Sequence, residues 1–276
     1  MMSRRRALGF GARRGGKMRL IVGIVVAIIS LVSYFGSSEY NPVTQKKMYL
    51  SLTPRQEIAL GLQAAPRMMQ EHGGLYPDQR HQERLDRVGI NLVRSSQTQS
   101  QQWNYEFHLL RDGETINAFA LPGGQVFITA ALYQRLTTEG QLAGVLGHEI
   151  GHVVARHSAQ RMAKSNLTEG LMEAVYTASG DYRTTQMAQL IGHMINMKYD
   201  RGDELESDQL GIRFMVDAGY DPRAMIKVMQ VLADSRGGST PPEFFSTHPN
   251  PENRIQRINQ AIQALFPQGM PPGLIP

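Results

Sequence analysis

In the stretch Gly147-His148-Glu149-Ile150-Gly151-His152, two histidines stand four residues apart and a glutamate follows the first of them. Apolar residues recur around this stretch at helical spacing, which predicts an α-helix. Residues four apart lie on one face of a helix, so both imidazoles can bind one Zn²⁺ ion. Glu149 would then lie beside the metal and activate a zinc-bound water by taking its proton. The pattern therefore indicates metal-assisted hydrolysis of a peptide bond.

The positive charge of the chain is concentrated at its N-terminus. The whole chain has 29 Lys and Arg against 24 Asp and Glu, a formal net charge of +5. Residues 1–19 hold seven of the basic side chains and no acidic one, so the rest of the chain has 22 basic against 24 acidic residues. A body this close to neutral lacks the basic surface that nucleic-acid binding requires. We therefore expect no nucleic-acid partner.

An apolar segment follows the basic tail at 1–19, which we expect to be cytoplasmic, and this segment predicts a membrane anchor. Leu20 to Phe35 carries no charge, and with Gly36 to Ser38 it approaches the length of a spanning helix. The basic flank should stay in the cytoplasm and send the remainder across the membrane. We expect a single-pass signal anchor at 20–38 in the inner membrane, with the catalytic domain on the periplasmic or extracytoplasmic side. Cleavage as a signal peptide is the alternative.

The remaining residues predict a polar linker at 39–52 and one mostly helical α+β domain at 53–270. Thr53-Pro54-Arg55-Gln56 has the form of a capping box that starts a helix. Alternating apolar residues from Trp103 to Leu109 predict a strand, and two further strands are expected at 116–121 and 125–129. These strands should form a small antiparallel sheet. The motif helix should run from about 138 to 157, and other helices are expected near 53–70, 78–94, 160–198, 202–218, 221–233 and 250–266.

Two histidines do not complete a metal site, so a third ligand is needed. The chain has no cysteine, which excludes a thiolate ligand. His157 lies five residues beyond His152, about 140° further round a continuous helix, so we expect it to point away from the metal.

Downstream carboxylates are the remaining candidates. Glu169, Glu173 and Glu204 all lie at plausible distances along the chain, and spacing alone leaves them open. Glu204 and Asp208 are four apart and share a helix face. One of them can bind the metal while the other accepts the free N–H of a ligating histidine.

Several motifs together resemble the membrane-associated gluzincin zinc metalloproteases of HtpX, BepA and the CAAX prenyl endopeptidases, most of all a BepA-like periplasmic branch. That family has His-Glu-x-x-His followed, some fifty residues on, by Glu-x-x-x-Asp. One departure is Ser207, where the family usually has Ala. The matching stretches are His148 to His152, Glu204 to Asp208 with the preceding Tyr199 and Arg201, Ala118 to Gly124 after Asn117, and Ser246 to Pro249 with Arg254 behind it.

The resemblance implies a zincin-like fold with one zinc ion per chain. It makes His148, His152 and Glu204 the metal ligands and Asp208 the partner of a ligating histidine. It also implies that Asn117, Ala118 and Phe119 form the sheet edge to which a peptide substrate adds as a further strand.

His248 has three possible roles. It can stabilise the oxyanion of the transition state, or bind the fourth zinc position until a lid at 236–242 moves, or cap the last helix. Arg254 is expected to support that loop as a structural charge.

Two functions follow from these expectations. The first is a zinc-dependent endopeptidase that hydrolyses unfolded or misfolded exported or membrane proteins. The second is a plugged zinc protein that acts mainly as a chaperone or assembly factor for envelope proteins.

Overall fold

The computed structural model describes residues 12–95, 103–179, 199–235, 243–248 and 253–276. Most of these residues are helical, and the strands are short. The helices are α1 (Ala12–Gly36), α2 (Pro54–Glu71), α3 (Gln79–Ser95), α4 (Ala130–Tyr133), α5 (Glu139–Val154), α6 (His157–Ser179), α7 (Arg201–Asp217), α8 (Ala224–Asp234), α9 (Phe244–Thr247) and α10 (Arg254–Leu265). The strands are β1 (Ser38–Asn41), β2 (Lys46–Tyr49), β3 (Glu106–Leu110), β4 (Ala118–Ala120) and β5 (Gln125–Thr129).

The chain divides into two compact units. One contains the described parts of Met1–Glu39, Met48–Ser51 and Arg161–Met197, and the other contains Tyr40–Lys47, Leu52–Gln160 and Lys198–Pro276. In the first unit, Gly16–Gly36 is the one helix among the described residues that is long and apolar enough to cross a membrane. Its mean hydropathy of 2.3 and its position near the N-terminus suit a signal anchor and a signal sequence alike.

Helix α1 shows a small-residue face to the part of α6 that belongs to the same unit. A Cβ atom added to Gly23 would lie 2.6 Å from the Ala174 carbonyl oxygen, so only glycine permits this approach. The large apolar side chains on the rest of α1 are exposed, among them Ile21, Val25 and Ile28. A hydrocarbon phase would cover them.

Helix α5 forms the centre of the second unit. Every residue from Gly140 to Val154 is buried, and the helix packs against α3, α7 and α8. Thr138 caps its N-terminus, accepting a hydrogen bond from the Gln141 backbone N–H at 3.2 Å. The prediction of a helix starting near Thr138 is confirmed, and so is the capping box of Thr53 and Gln56 at the start of α2.

The three-stranded sheet has the order β3-β5-β4. Strands β4 and β5 pair antiparallel with Phe119 opposite Phe127, as the sequence predicts. Strand β3 pairs with β5 in parallel, with Phe107 opposite Val126, which refines the expected sheet into a mixed one. Because β5 lies in the middle, β4 is an edge strand whose only strand partner among the described residues is β5.

Two local features differ from the sequence predictions. Strands β1 and β2 occupy the segment that we interpret as a polar linker, and Gln45 between them has a positive φ of 56°. The motif helix ends at Val154, because Arg156 takes a left-handed backbone conformation with φ 57°. A new helix, α6, then begins at His157.

Candidate metal centre

Glycines let α5 and α7 cross in close contact. A Cβ atom on Gly151 would lie 2.9 Å from the Ser207 carbonyl oxygen, and one on Gly147 would lie 3.2 Å from that of Gly211. The carboxylates on α7 therefore come within bonding distance of the histidines on α5. The sequence gives no direct sign of this approach beyond the small residues in the motif.

Four side chains converge at this crossing. His148 Nε2 lies 3.1 Å from His152 Nε2, and each of these nitrogens lies 3.5 Å from an oxygen of Glu204. His248 Nδ1 lies 3.0 Å from Glu204 Oε1 and 3.4 Å from His148 Nε2. All four side chains are buried, and among the described residues they form the one group placed to hold a metal ion.

The spacing of these atoms can be compared with that around a tetrahedral metal ion such as zinc. Ligand atoms about 2.0–2.1 Å from zinc lie about 3.3–3.4 Å apart at the corners of a tetrahedron. The closest contacts within the group are 3.0–3.5 Å long, and all four ligand atoms lie within 4.8 Å of one another. Two imidazole nitrogens that face one another at 3.1 Å beside a carboxylate are best satisfied by a shared cation. The residues present therefore fit a divalent metal.

Glu149 lies beside this group without joining it. Both of its carboxylate oxygens are buried and have no hydrogen-bond partner within the described part of the chain. In the cluster, His248 Nε2 lies 3.7 Å from Glu149 Oε1. Burial raises the pKa of Glu149 above its ordinary value, against the opposing effect of His248 and His148.

Asp208 lies behind His148, where the resemblance implies that it should. Its Oδ1 lies 2.9 Å from His148 Nδ1, so His148 can donate this proton and keep Nε2 free. Burial lowers the pKa of His148, but hydrogen bonds with Asp208 and Glu204 outweigh it and raise the pKa to about 9. Protons therefore compete with a metal ion for this residue.

Arg254 contacts both carboxylates of the centre, a role that its interpretation as a structural charge did not include; the loop 236–242 that it was expected to support lies outside the described residues. Arg254 is buried, and its Nε and Nη2 donate to the two oxygens of Asp208 at 2.6 and 2.7 Å. Its Nη1 lies 3.2 Å from Glu204 Oε2. Arg254 therefore compensates the negative charge of the two carboxylates. Burial alone would raise the pKa of Glu204, but its hydrogen bonds with the histidines lower it. Sequence reasoning missed this contact because more than 40 residues separate the partners.

His157 also contradicts its prediction. It is buried rather than directed away from the site, and its Nδ1 lies 2.9 Å from His152 Nδ1. The left-handed turn at Arg156 breaks the helix between the two histidines, so the rotation of about 140° expected for a continuous helix does not apply. Tyr199 covers the other side of His152, with ring centroids 4.1 Å apart.

The other carboxylate candidates lie outside the cluster. Glu169 and Glu173 are exposed on α6, where they accept local hydrogen bonds from Ser165 and Thr177. Within the second unit, Glu204 is the carboxylate that lies with the histidines.

The segment Asn117 to Phe119 lies at the sheet edge. The Asn117 carbonyl accepts from the Thr129 backbone N–H at 3.0 Å, which holds it against β5. The Phe119 side chain is partly buried and stacks on Phe127, with ring centroids 4.9 Å apart. Residues of this strand and a predicted metal ligand line the same small recess, among them Ala120, Leu121 and His152.

The remaining prediction concerns the loop 236–242, which lies outside the described residues. His248 follows α9 and is buried among the ligand atoms, with its ring stacked on Phe244 at 4.5 Å.

Comparison with known proteins agrees with this geometry. The sequence model of Peptidase family M48 matches residues 79–262. The chain is 32% identical over 228 residues to the beta-barrel assembly-enhancing protease of Yersinia pestis, an alignment that covers 79% of this chain and 46% of the relative. It is 31% identical over 237 residues to the mitochondrial metalloendopeptidase OMA1 of Schizosaccharomyces pombe, which covers 83% of this chain and 68% of the relative.

A third relative is the beta-barrel assembly-enhancing protease of Escherichia coli K12, 34% identical over 191 residues. That alignment covers 64% of this chain and 38% of the relative. The chain thus spans about half the length of the barrel-assembly relatives it matches, or less.

Proposed function

The chain belongs to peptidase family M48, and from that premise we propose that it is a membrane-anchored, zinc-dependent endopeptidase that hydrolyses misfolded exported or membrane proteins. The observation that carries this proposal is a group of buried nitrogen and oxygen ligands within 4.8 Å of one another, beside a carboxylate that has no hydrogen-bond partner among the described residues. Membership of the family implies a divalent metal, and the set of histidine and carboxylate donors supports zinc as the proposed ion.

His148, His152 and Glu204 would hold the ion through Nε2, Nε2 and a carboxylate oxygen. A bound zinc ion supplies Lewis acidity, which polarises the scissile carbonyl and lowers the pKa of water. Arg254 lies 3.2 Å from Glu204 Oε2 and compensates its charge, and Asp208 keeps the His148 proton on Nδ1. These residues fix the ligands before the metal arrives.

Glu149 is the proposed general base. It takes a proton from the attacking water as the C–O bond forms, and it delivers that proton to the amine nitrogen as the C–N bond breaks. A pKa raised by burial brings the carboxylate closer to the working pH, which favours both transfers. No hydrogen bond from the described residues engages the oxygens of Glu149, so they can receive the proton.

His248 supports a second, regulated state of the same protein. It belongs to the same group of potential ligands, so its Nδ1 could take the fourth position, which a catalytic zinc site keeps open. Cleavage would then require His248 to withdraw, and the resting protein would act as a zinc-bound chaperone or assembly factor. If His248 is a plug, His248→Ala increases cleavage; if it stabilises the oxyanion, the same variant loses activity.

The edge strand β4 is the proposed substrate site. A peptide that pairs with the main chain from Asn117 to Ala120 would run beside the recess that leads to His152. Recognition through main-chain hydrogen bonds does not depend on sequence, which suits unfolded polypeptides.

The catalytic side of the membrane is proposed from charge. The seven basic residues that precede the apolar helix favour a cytoplasmic N-terminus and an extracytoplasmic catalytic domain. The chain has no cysteine, so single cysteines can be introduced without background. In spheroplasts, a membrane-impermeant maleimide should label Gln134→Cys, which is exposed, and should label Ser3→Cys only after lysis.

Casein cleavage tests the proposed reaction. The zinc-loaded full-length chain in detergent should cleave casein, and Glu149→Gln should lose at least about a thousandfold of that rate, as removal of an essential general base does. If the wild type cleaves no unfolded protein and Glu149→Gln keeps full activity in suppressing aggregation, the chaperone function is the correct one.

A further inference from the structure

His157 has a defined chemical position that the proposed reaction does not use. Its ring is buried at the start of α6, and its Nδ1 lies 2.9 Å from Nδ1 of His152. The ring planes meet at 71°, with centroids 5.0 Å apart, so the contact is made edge to edge through nitrogen rather than by stacking.

Only one of these two nitrogens can carry the shared proton. The opposite nitrogen of His157, Nε2, lies 3.2 Å from Glu206 Oε2 and 3.6 Å from Asp203 Oδ1. An ionised carboxylate only accepts hydrogen bonds, so Nε2 of His157 carries a proton and donates it. In the neutral ring, Nδ1 of His157 is then an acceptor.

The proton between the two rings therefore belongs to His152. His152 donates from Nδ1, and this tautomer leaves the lone pair on its Nε2, the atom that faces His148 and Glu204. We propose that His157 is a positioning residue that fixes the tautomer and the ring orientation of the metal ligand His152. The inference rests on the proposed metal site and extends it to a residue outside the ligand set.

The residues around His157 support this direction of the hydrogen bond. Lys46 lies 2.9 Å from Glu206, and although burial raises the pKa of Glu206, bonds from His157 and Lys46 lower it below its ordinary value. Glu206 is thus held as an acceptor. The Ser207 hydroxyl lies 3.4 Å from Nδ1 of His157 and can donate weakly to the same lone pair.

The two metal-binding histidines are thereby held by different partners. Asp208 accepts from Nδ1 of His148, whereas an imidazole backed by Glu206 accepts from Nδ1 of His152. Loss of such a partner typically lowers metal affinity by about ten- to a hundredfold. His157 should therefore contribute to zinc affinity without contacting zinc.

Zinc affinity of full-length variants, measured by competition with a chromophoric chelator, tests the proposal. His157→Leu removes the acceptor but keeps an apolar side chain, and zinc should bind about ten- to a hundredfold more weakly. His157→Asn places a carbonyl oxygen near the position of Nδ1 and should restore most of the affinity. His108→Leu, the same change on β3 away from the site, is the matched control and should bind zinc as the wild type does.

Two results would overturn the proposal. One is a folded His157→Leu variant with wild-type zinc affinity. The other is a folded His157→Asn variant that is as weak as the leucine variant, because shape rather than the acceptor would then be responsible. If His157→Leu does not fold, the Glu206→Leu variant takes its place in the test. This change removes the carboxylate that accepts the Nε2–H of His157, so zinc binding should also weaken.

Nitrogen-15 NMR of the zinc-free chain gives an answer that depends on neither zinc nor cleavage. His152 should show the Nδ1–H tautomer in the wild type and lose this preference in His157→Leu. A wild-type His152 in the Nε2–H tautomer would overturn the proposal. Zinc binding that depends on His157 in a chain that cleaves nothing would instead refute the proposed function alone.

Discussion

A buried ion pair joins α2 to the end of the metal-binding helix, and its removal should destabilise the fold. Arg156 Nε donates to Glu57 Oε1 at 2.7 Å, and both side chains are at most 3% exposed. Arg156 also donates to the Leu52 carbonyl oxygen at 2.8 Å. Loss of one partner leaves the other charge buried, which costs about 3–5 kcal/mol. Glu57→Leu and Arg156→Met should therefore each lower the free energy of unfolding by that amount.

The double variant separates this mechanism from a general loss of packing. Replacing both charges with apolar side chains removes the desolvation penalty, so the double variant should lose only about 1–2 kcal/mol, chiefly the bond to Leu52. Trp103 is the only tryptophan of the chain, and the Arg156 guanidinium lies 5.7 Å from its ring. Its fluorescence during urea unfolding of the full chain in detergent reports each transition.

The control is the exposed pair Arg67 and Glu71 on the same helix α2. Its removal should leave the unfolding midpoint unchanged, because solvent screens exposed pairs. A double Glu57→Leu, Arg156→Met variant whose loss equals the sum of the two single losses would refute the reasoning, since the charges would then not be coupled.

Three further predictions follow from contacts in the second unit. Gly151→Ala should lower the free energy of unfolding by about 1–3 kcal/mol and weaken zinc binding, because the new Cβ would lie 2.9 Å from the Ser207 carbonyl oxygen and push α5 from α7. Calorimetry and zinc titration measure the two effects. Gly113→Ala, with open space around it, is the control for both measurements. Thr138→Ala should cost about 1 kcal/mol in the same calorimetric measurement, because it removes the N-cap of α5. Asp112→Ala should lower stability by about 1 kcal/mol near pH 6, since burial alone would raise the pKa of Asp112 but hydrogen bonds from Thr115 and His72 lower it to about 2. A carboxylate whose pKa is lower in the folded state stabilises the fold at pH values above its unfolded pKa of about 4. The difference in stability between the variant and the wild type should therefore disappear as the pH falls from about 4 to 2. A difference in stability that stays constant over this range would contradict the assignment.

Patterns that depend on local spacing predicted the structure well. Capping residues predict that helices begin at Thr53 and Thr138. Alternating apolar positions predict the strands that end at Leu110 and Thr129. The ligand histidines belong to this class, since one helix turn brings them together. The grouping of Glu204 with them required the resemblance to a family in addition to spacing.

The contacts that sequence reasoning missed depend on backbone geometry or on distant parts of the chain. The left-handed conformation at Arg156 turns His157 back to His152, and a non-glycine residue gives no sign of such a conformation. Arg254 reaches Asp208 across 46 positions, which no local pattern encodes. Strands β1 and β2 are too short and polar to be distinguished from a linker by periodicity.

Metal content and cleavage, measured together in two variants, test the central claim most directly. Glu204 is the proposed ligand and Glu149 the proposed base, although both are buried glutamates at the same centre. Zinc per chain should be determined by elemental mass spectrometry on the wild type, Glu149→Gln and Glu204→Gln after dialysis against a weak chelator. We expect one zinc per chain in the wild type and in Glu149→Gln, a large loss of zinc in Glu204→Gln, and casein cleavage only in the wild type. Retention of one zinc per chain by Glu204→Gln, or casein cleavage by Glu149→Gln at the wild-type rate, would contradict the assignment of these residues.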